Sequence, residues 1–180
     1  MIIYSSAFLN YSQMPARYTC EGSNISPALG WTNLPRGAKS LALIVEDPDA
    51  PDPDAPSMTW VHWILYNIPP LSNGIPEGAA PEQLPPGTLL GLNDWHYVGY
   101  GGPCPPIGRH RYVHRLLALD TLLPDLRGPN KLKLEQAAHG HILAQAELIG
   151  LYQRKVQFQS STQAAGSVHA TRMHAGHPLA

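Results

Sequence analysis

Asp47, His62, His110 and Tyr112 are the side chains in this sequence whose chemistry would combine usefully in one place. A carboxylate, two imidazoles and a phenol suit three tasks. The first is binding an anion: a phosphate or carboxylate accepts hydrogen bonds from imidazole N–H groups and from backbone N–H groups of glycine-rich loops. Asp47 would repel an anion, but it fits if it orients an imidazole or receives the ammonium of a zwitterion. Histidines with an ordinary pKa near 6.5 would then make affinity fall as pH rises through neutrality. The second task is holding a metal, since two His and one carboxylate match non-haem iron or catalytic zinc sites. The spacing from 47 to 62 to 110 contains none of the local pairs, such as H-E-x-x-H, that mark those sites. The third is hydrolysis with His as general base. No Gly-x-Ser-x-Gly elbow occurs, and neither Cys20 nor Cys104 adjoins a basic residue that would activate its thiol. Anion binding without a metal, cofactor or catalytic nucleophile is the expectation; a metal-assisted or His-based hydrolase is the enzyme alternative.

These four residues need elements to hold them. Arg109–Leu119 reads as a strand with His110, Tyr112 and His114 on one face and Arg111, Val113 and Arg115 on the other. The loop before it, Gly99 to Gly108, holds four glycines, three prolines and no charge, so it forms neither helix nor strand interior. Lys39–Val45 is a continuous apolar run typical of a strand buried on both faces, and Asp47-Pro48 is expected to stop it. Asp47-Pro-Asp-Ala-Pro51 is repeated at once as Asp52-Pro-Asp-Ala-Pro56, and the first copy is chosen as the source of the carboxylate because it directly follows that run. Met58–Ile68 is a second strand; alternation sets His62, Ile64 and Tyr66 on one face and Val61, Trp63 and Leu65 on the other. Each histidine would thus share a face with a tyrosine, Tyr66 or Tyr112. A lone strand histidine is ordinarily a satisfied core residue, and it is this pairing beside two Pro-rich loops that suggests a site.

Elsewhere, residues 1–19 suit one or two edge strands, Trp31 a buried anchor, and 71–98 a long Gly/Pro connection. Asn130 caps a short helix to Ala138, and Gln145–Tyr152 closes the fold as a strand. From about residue 159 the composition turns to Ser, Thr, Gln, Ala and Gly with His169, His174 and His177. The expected organisation is therefore one domain over 1–158 and a disordered tail over 159–180.

Nineteen prolines and sixteen glycines argue against a helix bundle, and a net charge of -1 without basic blocks excludes a nucleic-acid footprint. No apolar run is long enough to span a membrane, and the N-terminus lacks the basic and apolar regions of a signal peptide. The pocket loops offer neither a basic patch nor an apolar insertion surface, so stable membrane insertion is not expected. Two cysteines make no disulfide framework; reduced thiols and a cytoplasmic location are expected.

Several motifs together resemble the phosphatidylethanolamine-binding protein family, in particular its bacterial, Raf-kinase-inhibitor-like branch. They are Tyr18-Thr-Cys-Glu-Gly22, Asp47-Pro-Asp-Ala-Pro51, His62-Trp-Ile-Leu-Tyr-Asn-Ile-Pro69, Gly101-Gly-Pro-Cys-Pro-Pro106 and His110-Arg-Tyr112, with Gly140–Gly150 and Tyr152-Gln-Arg154 completing the order. The resemblance implies an all-β, antiparallel, Greek-key-like β-sandwich with short peripheral helices. It implies a pocket for phosphate or phosphoethanolamine-like headgroups built from Asp47, His62, His110 and Tyr112, walled by Pro51, Gly102 and Pro103. His114 and His141 fall to second rank. Eukaryotic relatives inhibit kinases or proteases, so a kinase or protease partner is an alternative use of the pocket rim. A homodimer through an exposed strand edge is a further open reading.

Overall fold

The computed structural model describes residues 1–155. Ten elements carry the fold, beginning with β1 (Ile2–Tyr4), β2 (Ser12–Gln13), β3 (Leu29–Thr32) and β4 (Ser40–Ala50). There follow β5 (Met58–Ile68), β6 (Gly74–Ile75), β7 (Leu89–Leu90), β8 (His110–Leu119), α1 (Lys131–Ala138) and β9 (Ile142–Tyr152). A six-stranded sheet in the order β2-β9-β8-β4-β5-β7 faces a three-stranded sheet in the order β1-β3-β6. The expected all-β sandwich is present, with one departure from antiparallel pairing: β2 runs parallel to β9, Ser12 opposite Gly150.

The apolar run in β4 behaves as its composition requires. Leu41, Leu43 and Val45 join Trp31, Trp63, Leu65 and Leu116 in the core between the sheets. Ala42 and Ile44 face the other way, into a smaller core with Ile64, Tyr66 and Leu134 of α1. Helix α1 starts where Asn130 accepts from the Lys133 N–H at 3.0 Å. Trp31 is buried, its Nε1 donating to Ser72 O at 2.7 Å.

Three expectations need correction. Asp47-Pro48 does not stop β4, which continues to Ala50. Pairing with β8 ends at Glu46, the ladder to β5 lapses across Pro48 and Asp49 and resumes at Ala50 opposite Met58; Pro48 has no N–H to give. The alternation read along β5 also fails, because Val45 pairs with Trp63 while Glu46 pairs with Val61. His62 is the extra residue of a β-bulge and turns to the side of Trp63 rather than that of Ile64 and Tyr66. Finally, the thiols are not free: Cys20 and Cys104 form a disulfide across 84 residues, with Cα atoms 5.4 Å apart. This removes the premise of reduced thiols on which a cytoplasmic location was expected. The 158/159 boundary and the C-terminal tail with its three histidines lie outside the described residues. Among those residues no helix is long and apolar enough to cross a membrane.

Candidate functional site

The bulge at His62 builds the site. Turned out of the Ile64 face, its ring stands edge-on to Tyr112 with centroids 5.2 Å apart, so β5 and β8 contribute to one cavity across the intervening β4. Tyr66, the partner expected by alternation, is on the far face, where its hydroxyl contacts Asp125 and Leu126. The cavity measures about 400 Å³. Its sheet wall consists of Asp47, Ala50, Met58, Trp60, His62, His110 and Tyr112, and the loops add Pro51, Trp95, Cys104, Pro105 and Pro106. Asp47, Pro51, His62, His110 and Tyr112 are thus brought together. The carboxylate comes from the first Asp-Pro-Asp-Ala-Pro copy; the second forms the turn after β4, with Asp54 N bonded to Asp52 Oδ1.

Gly102 and Pro103 do not line the cavity; they moor its loop. Gly102 N–H donates to Asn24 Oδ1 at 2.8 Å, and Pro103 O accepts from Cys20 N–H at 3.0 Å. A Cβ on Gly102 would lie 2.4 Å from Tyr18 O, and one on Gly101 2.4 Å from Trp95 Cζ3, so both glycines permit close approach.

The polar groups are engaged in an order that sequence does not reveal. His62 Nδ1 lies 2.6 Å from Gly101 O. A carbonyl only accepts, so Nδ1 carries the proton and Nε2 keeps a lone pair. Burial drives the His62 pKa down to about 4, so the ring is neutral near pH 7. His110 is fully buried, with Nε2 2.9 Å from Ile107 O and Nδ1 2.7 Å from Asp47 Oδ2. Nε2–H therefore donates to Ile107, and one proton lies between Nδ1 and Asp47, leaving the pair neutral as a whole. Burial raises the Asp47 carboxyl above its usual range, opposed by the His110 hydrogen bond. Burial likewise raises the Tyr112 phenol, aided by the Asp47 carboxylate both as a charge and as a neighbouring acceptor, although that contact falls short of a formed hydrogen bond. Tyr112 Oη and Trp60 Nε1 are buried and have no hydrogen-bond partner among the described residues.

The expected mode of anion binding, with both imidazoles offering free N–H groups, does not match this geometry, and the buried His62 ring does not titrate near 6.5. The N–H groups are already engaged by Gly101, Ile107 and Asp47. His114 is buried beside Phe8, ring centroids 5.5 Å apart, and burial lowers its pKa to about 4. His141 is exposed and bonded to Asp120 at 2.8 Å. Among the described residues no three His, Cys, Asp or Glu side chains converge as a metal site would require.

The Gly99–Gly108 loop does form a wall as expected, through Cys104, Pro105 and Pro106, whereas Trp60 and Trp95 are lining residues that sequence reasoning does not single out. Asn93 offered a signal for Trp95: its Oδ1 accepts from Trp95 N–H at 3.0 Å in an Asx turn that sets the indole 5.1 Å from the His62 ring. The rim also exposes Met58, Trp95, Tyr97 and Ile107, an apolar surface that the loop composition had not suggested. A larger cleft of about 750 Å³ lies beyond the Pro105–Pro106 wall; among the described residues it is lined by no imidazole or phenol, and it ends at Arg154 and Lys155, where the described chain stops.

A β-sandwich with a largely apolar cavity that carries a few buried polar groups at the ends of β4, β5 and β8 is the class of protein defined here. Residues 4–153 match the sequence profile of the phosphatidylethanolamine-binding protein family, and the chain belongs to that family. A UPF0098 protein from Methanothermobacter thermautotrophicus is 49% identical over 155 residues, covering 86% of this chain and 99% of that one. Among solved structures, a phosphatidylethanolamine-binding protein homologue from Chlamydia trachomatis is 43% identical with TM-score 0.78, covering 86% of this chain and 97% of that one. Escherichia coli YbcL, described as a member of the mammalian family, is 32% identical with TM-score 0.76 over 85% and 98%.

Proposed function

We propose that the protein binds a small phosphorylated or zwitterionic headgroup, phosphoethanolamine-like, in the cavity at Asp47, His62, His110 and Tyr112. The single observation that carries this reading is the unpartnered Tyr112 hydroxyl, a buried donor in the wall of a cavity large enough for such a group. A buried unsatisfied donor costs roughly 1–3 kcal/mol, a penalty that a ligand oxygen would relieve. Binding is favoured over cysteine-based catalysis because both sulfurs are tied in the disulfide. The same bond favours an oxidising compartment over the cytoplasm as the place where the protein works.

Isothermal titration with phosphorylethanolamine tests this reading. The unmodified protein should show saturable binding near one equivalent without added metal. Tyr112→Phe removes the donor but not the ring, so affinity should fall about tenfold while stability stays equal or rises slightly. Equal binding by Y112F would reject the assignment of Tyr112, and no binding by either protein would reject the function.

The exposed Met58, Trp95 and Tyr97 favour a second reading, in which the rim docks a kinase or protease partner. Inhibition assays with and without phosphorylethanolamine would separate the two readings, since a rim inhibitor should act without any headgroup.

A further inference from the structure

The cavity wall offers a ligand an uneven set of contacts. Tyr112 Oη–H and Trp60 Nε1–H are unmet donors, and His62 Nε2 is an acceptor whose ring partner, Nδ1–H, is already given to Gly101. Among the described residues no Lys or Arg lines this wall. Arg111, adjacent to His110, is held by both carboxylate oxygens of Asp49 at 2.7 and 3.0 Å. The other polar or titratable groups around His62 bring no net positive charge: the Asp47–His110 pair shares one proton, Tyr112 is neutral, and His114 is buried on the same strand.

We propose that His62 selects the protonation state of the ligand, so that the cavity accepts the monoanion of a phosphomonoester, which brings its own proton, and disfavours the dianion and the corresponding sulfate ester. The P–OH of the monoanion donates to His62 Nε2, and its other oxygens accept from Tyr112 Oη–H and Trp60 Nε1–H. A dianion, or a sulfate ester at neutral pH, sets a lone pair against a lone pair at His62. A dianion in addition buries two charges beside a wall whose described residues supply no cation. The inference rests on the headgroup-binding function proposed above, and goes beyond it by making the ligand's proton the basis of selectivity.

Titration calorimetry with phosphorylethanolamine and ethanolamine O-sulfate at pH 5.5, 6.5 and 7.5 tests it. The two esters share the ammonium arm and differ in the proton. The phosphate ester should bind at least tenfold more tightly than the sulfate at pH 5.5. Its affinity should then fall, approaching tenfold per pH unit above the ligand's second pKa of about 6. The sulfate does not titrate in this range, so any pH dependence it shows reports the protein. His62→Gln, whose amide can turn an N–H into the cavity, should shrink the ratio below about threefold. Imidazole ¹⁵N spectra of the unmodified protein give a readout that does not need the variant to fold: Nε2 should be unprotonated in the free protein and shift on adding phosphorylethanolamine. Equal affinities for the two esters, phosphate affinity rising with pH, or a protonated Nε2 in the free protein would overturn the inference while leaving headgroup binding in place. Failure of both esters to bind would overturn the binding function itself.

Discussion

The two walls of the cavity are held by different physics. The sheet wall is embedded in the middle of the six-stranded sheet, where β4 is flanked by β5 and β8 and covered by core on both faces. Its polar groups, His62, His110 and Asp47, are fixed by buried hydrogen bonds. The loop wall from Cys104 to Pro106 has almost no backbone ladder, since two of its three residues are prolines without an N–H. It is moored by Gly102 and Pro103 on one side, by the Cys20 disulfide at its start, and by Ile107 O on His110. The platform under Cys20 is itself anchored, with Glu21 accepting from Tyr152 Oη and Tyr18 Oη donating to Glu77 at 2.6 Å. The difference teaches that protons should loosen the sheet wall and reductant the loop wall.

Acid should produce the largest effect. His62 and His114 titrate near 4 when folded and near 6.5 when unfolded, so their neutral burial is fully tolerated above pH 6.5. As pH falls from 6.5 towards 4, the unfolded chain takes up protons that the folded chain refuses, and stability drops. The two together set an upper limit of about 7 kcal/mol. Asp47, whose pKa is shifted upwards, binds its proton more readily in the folded state and offsets part of the loss. Urea denaturation across pH 4–7.5 would show this slope; a flat profile would mean that water reaches these rings.

Reduction should come next. Opening a loop of 84 residues costs about 4–5 kcal/mol by the chain-entropy account. Denaturation with and without dithiothreitol measures that loss, and Cys20→Ser/Cys104→Ser should reproduce it. Amide exchange should rise most at Ile107–Arg109 and least in β4 and β8. Uniform acceleration across both walls would erase the distinction drawn between them.

The smallest effect is expected on the side remote from the cavity. Asn130→Ala removes the N-cap of α1 and should cost about 1 kcal/mol. Phosphorylethanolamine affinity should not change, because α1 backs the sheet on the face opposite His62 and Tyr112. A loss of binding would show that the helix side is coupled to the site.

Much of the fold was legible because its signals are local. The run Leu41–Val45, the β-branched and aromatic stretch of β5, the Asn130 cap and the alternation along β8 each state their structure within about ten residues. The candidate residues were legible as types and, through motif order, as a family pattern. What was not legible depends on pairing between distant segments. Nothing near His62 announces that Glu46 will pair with Val61, yet that slip of one residue turns His62 from Tyr66 to Tyr112. The strand continuing through Pro48 and the joining of Cys20 to Cys104 are likewise set by neighbours far along the chain.

By itself the sequence determined which segments become strands, which loop cannot be one, and which side chains are available for chemistry, because propensity and apolar periodicity act over a few residues. Tertiary structure alone decided the direction of each hydrogen bond in the cavity. Gly101, Ile107 and Asp47 take the imidazole protons, leaving one lone pair and two unmet donors. The physical reason is burial: away from water, a titratable group takes the protonation state set by the groups packed against it, and those groups come from strands and loops up to sixty-three residues apart.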